Sequence, residues 1–295
     1  MTKAAGKVLY AASSSECNNN CVFCTDVSGR GRRRGGGAVD GLRAPARGRR
    51  LVFTSGEPTL NPDLPALIGE AARLGCSGIS VITNGRMLAY RDYCSKLLAS
   101  GASEVIVSLH GARPEVHDAI TGAAGSWAQT VRGLSNLLSL RPKGSPVQVS
   151  VNATVNALNI DGLGELRDFF LSLRGLRNIV FHGLLPFGRA LKDWKKLSVR
   201  YSRLVEELAP ARGRWPRSLR LWDVPLCAAL PRVPAGACEF AMRRTEMLRR
   251  RGRSVDGHRE KTALRCCRAC SKLAVCGGVY AKYLETYGDS EFHAL

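Results

Sequence analysis

Three cysteines near the start of the chain have a spacing suited to metal chemistry. Cys17 and Cys21 have three residues between them, and Cys21 and Cys24 have two. Thiolates at this spacing can bind three irons of a cubane 4Fe-4S cluster and leave the fourth iron without a protein ligand. An iron with an open position can bind a further molecule, so the three cysteines predict a site of redox chemistry.

A second group of cysteines lies near the end of the chain, at Cys267, Cys270 and Cys276. The chain has 11 cysteines in 295 residues. An odd number in a chain of this size argues against a framework of structural disulfides and favours metal or redox chemistry. Cys76 and Cys94 are exceptions, because their apolar neighbours indicate ordinary buried packing.

Cys266 directly precedes Cys267, and two arginines, Arg265 and Arg268, flank the pair. Neighbouring guanidinium groups should lower the pKa of these thiols and raise the thiolate fraction. Thiolates bind soft metals and soft electrophiles. The run that contains Cys266, Cys267 and Cys270 therefore predicts either cluster ligands or a group of substrate-binding thiols.

Size and composition indicate a globular protein with one large domain, or a large domain with a smaller appendage. The chain has 295 residues, of which 45% are hydrophobic, enough to bury a large core. No apolar run approaches the roughly 18 residues of a membrane span, and the first residues lack the apolar segment of a signal peptide. We therefore expect a cytoplasmic protein without a membrane partner.

The net charge is +20 and the isoelectric point is near 10.0, which suits an anionic partner such as nucleic acid. Arginines are concentrated in a Gly- and Arg-rich segment at 30–50 without hydrophobic periodicity, which predicts a basic loop. Aromatic residues that could stack bases are not interleaved with these arginines. Nucleic acid is therefore not favoured, and the loop is either a solvated insertion or a lid that attracts an anionic substrate.

Apolar strand-like segments alternate with helical segments through much of the chain. Strands are predicted at 51–54, 78–83, 104–108, 147–155 and 178–181. Helices are predicted at 63–74, 91–99, 126–138 and 162–173. Right-handed βα crossovers of this kind give a parallel sheet covered by helices. We predict an α/β fold, a partial (βα)6 barrel of the TIM type, with its chemistry at the C-terminal ends of the strands.

Small and polar residues stand at the ends of these strands. Glycine lets backbone approach a ligand, and a carboxylate can bind an amine. The set consists of Ser55, Gly56, Glu57, Thr83, Asn84 and Ser108. Among the histidines, His110 and His117 are interpreted as structural hydrogen-bonding residues, whereas His182 ends a strand and is a better candidate for lining a substrate site.

Together these segments resemble the radical S-adenosylmethionine (radical SAM) enzymes, and the resemblance extends from Lys7 to about Ala190. The family usually has Gly-Gly-Glu-Pro after its second strand, and here Ser55 replaces the first glycine, a change that should not abolish cofactor binding. The segments that carry the resemblance are the cysteine triplet with Phe23, Gly56-Glu57-Pro58, Thr83-Asn84-Gly85, Ser108-Leu109-His110-Gly111, His117-Asp118, Thr121-Gly122 and Leu185-Pro186-Phe187-Gly188-Arg189-Ala190.

The resemblance implies that Cys17, Cys21 and Cys24 bind a 4Fe-4S cluster whose open iron is chelated by the methionine part of S-adenosylmethionine. Such a cluster injects one electron into the sulfonium and splits a carbon–sulfur bond, and a reductant such as flavodoxin or ferredoxin would supply the electron. The implied cofactor contacts are Glu57 for the amino group, with Ser55 and Gly56 at the same end; Thr83, Asn84 and Ser108 for the carboxylate or ribose; Asn152 for the ribose; and Phe23, Leu185 and Pro186 for the adenine.

The spacing of Cys267, Cys270 and Cys276 is similar to that of SPASM and twitch appendages, which carry auxiliary iron–sulfur clusters. Cys238 or Cys227 could complete the set. A full appendage would have a further cysteine where Tyr280 stands, so the resemblance implies one auxiliary cluster and not two. The predicted domains are a radical SAM partial barrel at 1–190 and a cysteine-bearing region at 191–295, which ends in a helix packed back onto the domain.

The Arg-Cys-Cys-x-x-Cys run resembles one in radical SAM enzymes of the arsinothricin pathway. This implies transfer of a 3-amino-3-carboxypropyl group from S-adenosylmethionine to trivalent arsenic, with Cys266, Cys267 and Cys270 presenting arsenite. The alternatives are modification of a ribosomally made peptide and, third, modification of RNA. A non-enzymatic iron–sulfur scaffold would cleave no cofactor. The sequence leaves open which carbon–sulfur bond breaks and whether Cys266 binds substrate or is a bystander.

Overall fold

The computed structural model of the chain describes residues 8–25, 47–209, 214–230, 232–239, 246–248 and 261–295, with the backbone alone for 246–248. Most of the predicted basic loop at 30–50 lies outside the described residues, since they resume at residue 47.

A parallel sheet forms the centre of the described chain. Its nine strands follow the order β8-β7-β6-β5-β4-β3-β2-β1-β9, and each neighbouring pair is parallel. The strands of this sheet are β1 Val8–Ala12, β2 Arg50–Thr54, β3 Gly78–Thr83, β4 Glu104–Ser108, β5 Gln148–Thr154, β6 Leu176–His182, β7 Leu219–Trp222, β8 Cys238–Glu239 and β9 Glu246–Leu248. A separate antiparallel pair consists of β10 Lys261–Thr262 and β11 Val279–Tyr280.

Helices connect the strands and continue into the C-terminal region. The α-helices are α1 Leu64–Arg73, α2 Arg91–Ala99, α3 Pro114–Thr121, α4 Ser126–Leu140, α5 Leu163–Ser172, α6 Gly188–Lys192, α7 Trp194–Leu197, α8 Tyr201–Leu208, α9 Leu226–Ala229, α10 Leu273–Cys276 and α11 Ala281–Tyr287. Short 3-10 turns lie at Pro58–Leu60, Arg86–Ala89, Ile160–Gly162, Ala235–Ala237 and Cys266–Ala269.

The partial (βα)6 barrel is confirmed, because β1 to β6 lie side by side in chain order with helices in their connections. Residues at the C-terminal ends of all six strands line one shared cavity, so the sheet curves around that cavity. β7 and β8 extend the same sheet beyond β6, and the domain boundary at residue 190 stays a prediction.

Alternation along the strands explains how the sheet is covered. In β3, Ile79 and Val81 are buried in the hydrophobic core, and the residue between them, Ser80, points to the other face of the sheet. Helix α1 buries Leu64, Ile68 and Ala71 at helical spacing, which places one apolar face against the sheet.

Between residues 51 and 181, where the strands and helices were predicted one by one, the predicted elements match the observed ones within two residues and one α-helix, α3, was missed. Helix α3 begins at Pro114, where proline fits the first turn, and ends at Gly122, which has a left-handed φ of 60°. These boundary signals were present in the sequence, but a helix of 8 residues gives little periodicity to detect. Cys94 is fully buried and Cys76 packs against the core, as predicted.

The C-terminal helix packs back onto the barrel, as the resemblance implied. The ring of Tyr283 in α11 stacks on Tyr201 of α8 with centroids 4.1 Å apart, and its hydroxyl accepts a hydrogen bond from the Tyr201 backbone N–H at 2.8 Å. Trp194 donates from Nε1 to Thr286 at 2.9 Å. The region around the last cysteines is therefore fixed to the barrel.

A buried ion pair joins the same region to the end of β7. The ammonium of Lys261 binds the carboxylate of Asp223, and both side chains are almost completely buried. Tyr280 donates to the other oxygen of Asp223 at 2.6 Å. A buried pair with an extra hydrogen bond is costly to break from one side, since the remaining charge is left unpaired.

Across the described residues, no helix is both long and apolar enough to cross a membrane.

Candidate active site

The predicted cluster and cofactor residues meet in one cavity at the C-terminal ends of β1 to β6. Its volume is about 650 Å³, within the range of about 300–1,000 Å³ typical of ligand pockets. Pro186, predicted beside the adenine, is not part of its lining. The other twelve predicted residues line it: Cys17, Cys21, Cys24, Phe23, Ser55, Gly56, Glu57, Thr83, Asn84, Ser108, Asn152 and Leu185. The fold therefore brings together residues that the sequence analysis assigned to one site, whereas their individual ligand contacts stay predictions.

The cysteine loop, residues 13–25 after β1, is held in place by arginines and backbone hydrogen bonds. Arg86 donates to the carbonyl of Asn18 and, at 2.9 Å, to the side chain of Asn19. Arg189 donates to the carbonyl of Asn20 at 3.0 Å and to its side chain at 2.6 Å. These two arginines fix the loop between the cysteines, so the thiols keep their positions without depending on the loop's own rigidity.

Nitrogen–hydrogen groups already approach the sulfur of Cys17. The backbone N–H of Asn19 donates to Cys17 Sγ at 3.4 Å, and Asn84 donates from Nδ2 at 4.0 Å. Hydrogen bonds of this kind stabilise thiolates and tune the potential of a cluster. Asn84 also donates to the side chain of Asn18 at 2.6 Å, which ties the end of β3 to the cysteine loop.

The three thiols strongly influence one another. Burial, together with the charges of Cys17 and Cys24, raises the pKa of Cys21 to about 12. Burial is likewise the largest cause of the raised pKa of Cys17. Within the described residues, no three His, Cys, Asp or Glu side chains are close enough to hold a single metal ion. A cubane cluster is different, since each cysteine binds its own iron, and the donor set fits such a cluster.

Glu57 is enclosed by donors of the chain itself. Its Oε1 accepts from the Thr59 backbone N–H at 3.0 Å and from the hydroxyls of Thr59 and Thr83. Its Oε2 accepts from the Asn84 backbone N–H at 2.7 Å. Burial raises the pKa of Glu57, and these hydrogen bonds oppose the shift. Oε2 has one protein donor, so it retains a lone pair for a ligand amine.

Two consecutive residues after β2 have left-handed backbone conformations. Gly56 has φ 56°, and a Cβ there would lie 2.6 Å from the carbonyl oxygen of Glu16 and 2.7 Å from that of Ser14. Glycine is therefore required where β2 passes against the cysteine loop. Ser55 has φ 68° although it carries a side chain, a conformation that costs about 1–2 kcal/mol for a non-glycine residue.

The structure adds cavity residues that the sequence analysis did not assign. Thr154 and Thr54 end β5 and β2 and line the cavity, and His110 lines it as well. Thr154 lies two residues after Asn152, and the alternation of a strand could have identified it. His110 also has the predicted structural role, because its Nδ1 accepts from the Thr154 backbone N–H at 3.2 Å.

A second, small cavity of about 20 Å³ collects cysteines of the C-terminal region. Its sulfur-bearing lining consists of Cys227, Cys267, Cys270 and Cys276, and His293 lies beside them. Cys238 lies outside this lining, at β8 on the edge of the sheet, although the charge of Cys276 contributes to its raised pKa. Cys227, which the sequence analysis named as the alternative to Cys238, lines this cavity. Which of the two binds a cluster stays a prediction.

The predicted effect of the flanking arginines on these thiols is wrong for Cys267. Burial raises its pKa, and the neighbouring Cys266 raises it further. The pKa of Cys270 is lowered as predicted, but the causes are backbone hydrogen bonds at Leu295 and Lys272. Cys266 lines a separate depression with Arg265 and Asp289. The structure thus brings Cys267 and Cys270 to one cavity and leaves Cys266 outside it.

Comparison with known proteins gives a consistent result. The family model described as the radical SAM superfamily matches residues 13–168. The mycofactocin maturase MftC of Mycobacterium ulcerans is 32% identical over 192 residues, which cover 61% of this chain and 48% of that protein. The probable GTP 3',8-cyclase of Pyrobaculum aerophilum is 28% identical, covering 70% of this chain and 67% of that protein. The AdoMet-dependent heme synthase of Methanosarcina barkeri is 29% identical, covering 64% and 54%.

Solved structures share the fold. Streptococcus suis SuiB bound to S-adenosylmethionine superposes with a TM-score of 0.65, 13% identity and coverage of 99% of this chain and 77% of SuiB. SuiB bound to its precursor peptide SuiA gives a TM-score of 0.61 at 16% identity, covering 77% and 51%. The chain spans about half the length of MftC and of the heme synthase.

Proposed function

Because the chain belongs to the radical SAM superfamily, we propose that its large cavity binds S-adenosylmethionine against a 4Fe-4S cluster held by Cys17, Cys21 and Cys24. When bound, a cluster of this kind supplies one electron to the sulfonium and breaks a carbon–sulfur bond. The observation that carries the proposal is the convergence of twelve of the thirteen predicted cluster and cofactor residues on one cavity.

The chain's own groups divide the task of binding between them. The sulfur of Cys17 receives N–H donors from Asn19 and Asn84, which favour the thiolate that a metal requires. Oε2 of Glu57 faces the methionine end and binds its ammonium through the remaining lone pair. Gly56 lets the end of β2 lie against the loop, which brings Glu57 and the thiols to the same end of the cavity.

We further propose that Cys227, Cys267, Cys270 and Cys276 hold one auxiliary iron–sulfur cluster. Their convergence on one cavity supports this set. Tyr280, at the position of a further cysteine in a full appendage, is engaged with Asp223 through its hydroxyl, which agrees with one auxiliary cluster. Cys238 is not part of the proposed set, because it lies at the sheet edge outside that cavity.

For the second substrate, modification of a peptide is the proposal that the geometry supports best. It uses Cys267 and Cys270 as cluster ligands, in agreement with their shared cavity. The relative MftC is a maturase, and SuiB, which shares the fold, is known bound to a precursor peptide. The electron donor would be an external protein such as flavodoxin or ferredoxin.

Transfer of a 3-amino-3-carboxypropyl group to trivalent arsenic is the second candidate. The observation in its favour is the vicinal pair Cys266 and Cys267, which are close enough for the charge of Cys266 to raise the pKa of Cys267. This candidate requires Cys267 and Cys270 as free thiols, whereas their cavity also contains Cys227 and Cys276. Arsenic transfer and an auxiliary cluster on these cysteines therefore exclude each other.

The decisive experiment identifies the cleavage product. The protein is reconstituted with iron and sulfide without oxygen, reduced with dithionite, and incubated with S-adenosylmethionine with and without arsenite. Mass spectrometry then distinguishes 5'-deoxyadenosine from methylthioadenosine. We expect 5'-deoxyadenosine in both samples. Methylthioadenosine together with a methionine-derived arsenical would overturn the peptide proposal in favour of arsenic. No product from the wild-type protein, compared with a Cys17→Ala control, would sink the assignment of the cavity.

Iron analysis tests the auxiliary site independently of turnover. Cys227→Ala should lose the iron of one cluster and keep the iron of the other, because it removes one of the four thiolates proposed to hold the auxiliary cluster. Cys238→Ala is the matched control and should keep both. Loss of iron in the Cys238 variant with retention in the Cys227 variant would show that the fourth ligand is Cys238.

A further inference from the structure

The large cavity has two chemically different ends. Cys17 and the carboxylate of Glu57 lie at the end formed by β1 to β3, where Asn84 donates to the Cys17 sulfur. The later part of the cysteine loop crosses to the other end, where Phe23 packs against His110 and the Cys24 carbonyl accepts from the Arg189 backbone N–H. At the end formed by β4 to β6 the lining groups are uncharged hydrogen-bonding or apolar side chains. Ser108, Asn152 and Leu185 in this lining are already assigned to the cofactor, which leaves His110, Thr154, His182 and Leu184 for a second substrate. A ligand that extends beyond the methionine end therefore meets imidazole, amide and hydroxyl groups.

His182 occupies a defined place at this uncharged end. It is the last residue of β6 and pairs in register with Thr154 of β5, so both side chains project from the same face of the sheet. Its ring packs edge-on against Trp222, which is its partner in β7, with centroids 4.5 Å apart and planes at 73°. The strand and the indole fix the orientation of the imidazole.

The nitrogens of three histidines differ in their availability. His117 accepts at Nδ1 from the His110 backbone N–H at 3.0 Å, and its Nε2 is enclosed without a partner. His110 uses Nδ1 for Thr154, so its proton resides on Nε2. Within the described residues, neither nitrogen of His182 has a hydrogen-bond partner and neither is fully enclosed. His182 therefore offers a donor and an acceptor to the cavity.

Both cavity imidazoles are uncharged near neutral pH. Burial lowers the pKa of His182 to about 4, and the opposing effect of Asp223 is smaller. Burial, with the neighbouring His117 and His182, also lowers the pKa of His110 well below its usual value. A neutral imidazole with both nitrogens accessible can pair with a group that accepts and donates at once, as amides and hydroxyls do.

We propose that His182, with His110 beside it, binds an uncharged hydrogen-bonding group of the second substrate, such as a peptide amide or a hydroxyl. This inference rests on the proposed function, since it places the second substrate next to the bound cofactor. Phosphate and carboxylate ligands are instead bound most strongly by charged donors, so a nucleotide is the wrong class for this end of the cavity.

Labelling with diethyl pyrocarbonate tests the geometry directly, because this reagent acylates uncharged, accessible imidazole nitrogens. The reconstituted holoenzyme is treated at pH 6 in the presence of S-adenosylmethionine, and the labelled histidines are mapped by mass spectrometry. We expect labelling of His182 and none of His117. Acetylated dipeptide amides at high concentration should protect His182, and GTP should not. Absence of label on His182, its complete protection by S-adenosylmethionine alone, a lack of protection by the peptide amides, or protection by GTP would each overturn the proposal.

Two variants separate hydrogen bonding from packing. His182→Phe keeps a ring against Trp222 and removes both nitrogens, whereas Trp222→Phe keeps the nitrogens and changes the packing. Binding of the acetylated dipeptide amide, measured by equilibrium dialysis of an isotope-labelled peptide against the reconstituted holoenzyme with S-adenosylmethionine, should be lost in His182→Phe and kept in Trp222→Phe. Neither substitution removes a proposed cofactor contact, so both variants should bind S-adenosylmethionine with an affinity within about twofold of the wild type. A twofold change in affinity corresponds to about 0.4 kcal/mol. A tenfold loss in His182→Phe would place His182 in the cofactor site instead.

Failure of this inference can be told apart from failure of the proposed function. Cleavage of S-adenosylmethionine by the wild-type protein is measured separately, in the absence of any second substrate. If the wild type cleaves the cofactor and His182 is nevertheless unlabelled or unprotected, the substrate assignment alone is wrong. If the wild type does not cleave the cofactor, the proposed function is wrong.

Discussion

Ser55 gives the sharpest quantitative test of how the cofactor end of the cavity is built. Its φ of 68° is left-handed, and of the described residues other than glycine only Asp223 shares this property. The conformation costs about 1–2 kcal/mol for a residue with a Cβ. Ser55→Gly removes that cost. Glycine also gives the unfolded chain more conformational freedom, which lowers the free energy of unfolding by about 0.4–1 kcal/mol. The net expectation is a gain of about 0.5–1 kcal/mol in the free energy of unfolding.

Ser55→Ala is the matched control, because it keeps the Cβ and removes only the hydroxyl. Its free energy of unfolding should stay near that of the wild type, since the Ser55 hydroxyl has no hydrogen-bond partner within the described residues. Binding should respond differently. If the hydroxyl contacts S-adenosylmethionine, both variants lose a hydrogen bond worth about 0.5–1.5 kcal/mol, which corresponds to an affinity about 2- to 12-fold weaker.

The assays are urea unfolding of the two variants and the wild type, and equilibrium dialysis of S-adenosylmethionine against the reconstituted proteins. The expected pattern is Ser55→Gly more stable than Ser55→Ala, with equally reduced affinity in both. Equal stability of the two variants would refute the strain argument. Unchanged affinity in both would refute the contact with the cofactor and leave Ser55 as a residue that the turn merely tolerates.

Three further predictions follow from the same structure. Gly56→Ala should lose most of the reconstituted iron, because its Cβ would lie 2.6 Å from the Glu16 carbonyl oxygen. Gly144→Ala is the control and should keep the iron, because Gly144 has a left-handed φ of 77° and open space around it. Iron analysis of both variants checks this prediction. Lys261→Met should lower the free energy of unfolding by about 3–5 kcal/mol in urea titrations, because it leaves the Asp223 carboxylate buried without its cation. The double variant Lys261→Met with Asp223→Asn should recover part of this loss. Burial lowers the pKa of His117 to about 4, so the unfolded chain binds the extra proton between pH 6.5 and 4, and stability should fall as the pH falls through that window, by up to about 3 kcal/mol. Urea titrations of His117→Gln should show a shallower slope in this window, and an unchanged slope would contradict the assignment.

The sequence was sufficient for the barrel and for the membership of the cavity, for a physical reason. Apolar runs with regular helical connections have few ways to pack, and the C-terminal ends of parallel strands meet at one edge. Residues such as Asn84 and Ser108 therefore had to lie near each other wherever the details fell. Thr154 followed from the same alternation and could have been included.

Local backbone conformation and long-range convergence were not accessible in this way. The left-handed φ of Ser55 depends on how β2 meets the cysteine loop, which no local pattern reports. That Cys227 lines the small cavity and Cys238 does not depends on where α9 and β8 lie in the fold, since both residues are far in sequence from Cys267. The raised pKa of Cys267 comes from burial, and a run of charged neighbours in the sequence could not indicate it.

Two of the arginines that contribute to the positive charge bind the cysteine loop. A net charge of +20 suggested an anionic partner, but Arg86 and Arg189 bind carbonyl and amide oxygens of the loop. Arg189 also opposes the rise in the pKa of Cys21. A loop that must hold three thiolates in a partly buried place needs positive charge behind it, because burial and mutual repulsion both favour the neutral thiols. Part of the basic composition therefore stabilises the loop itself and is not evidence for an anionic partner.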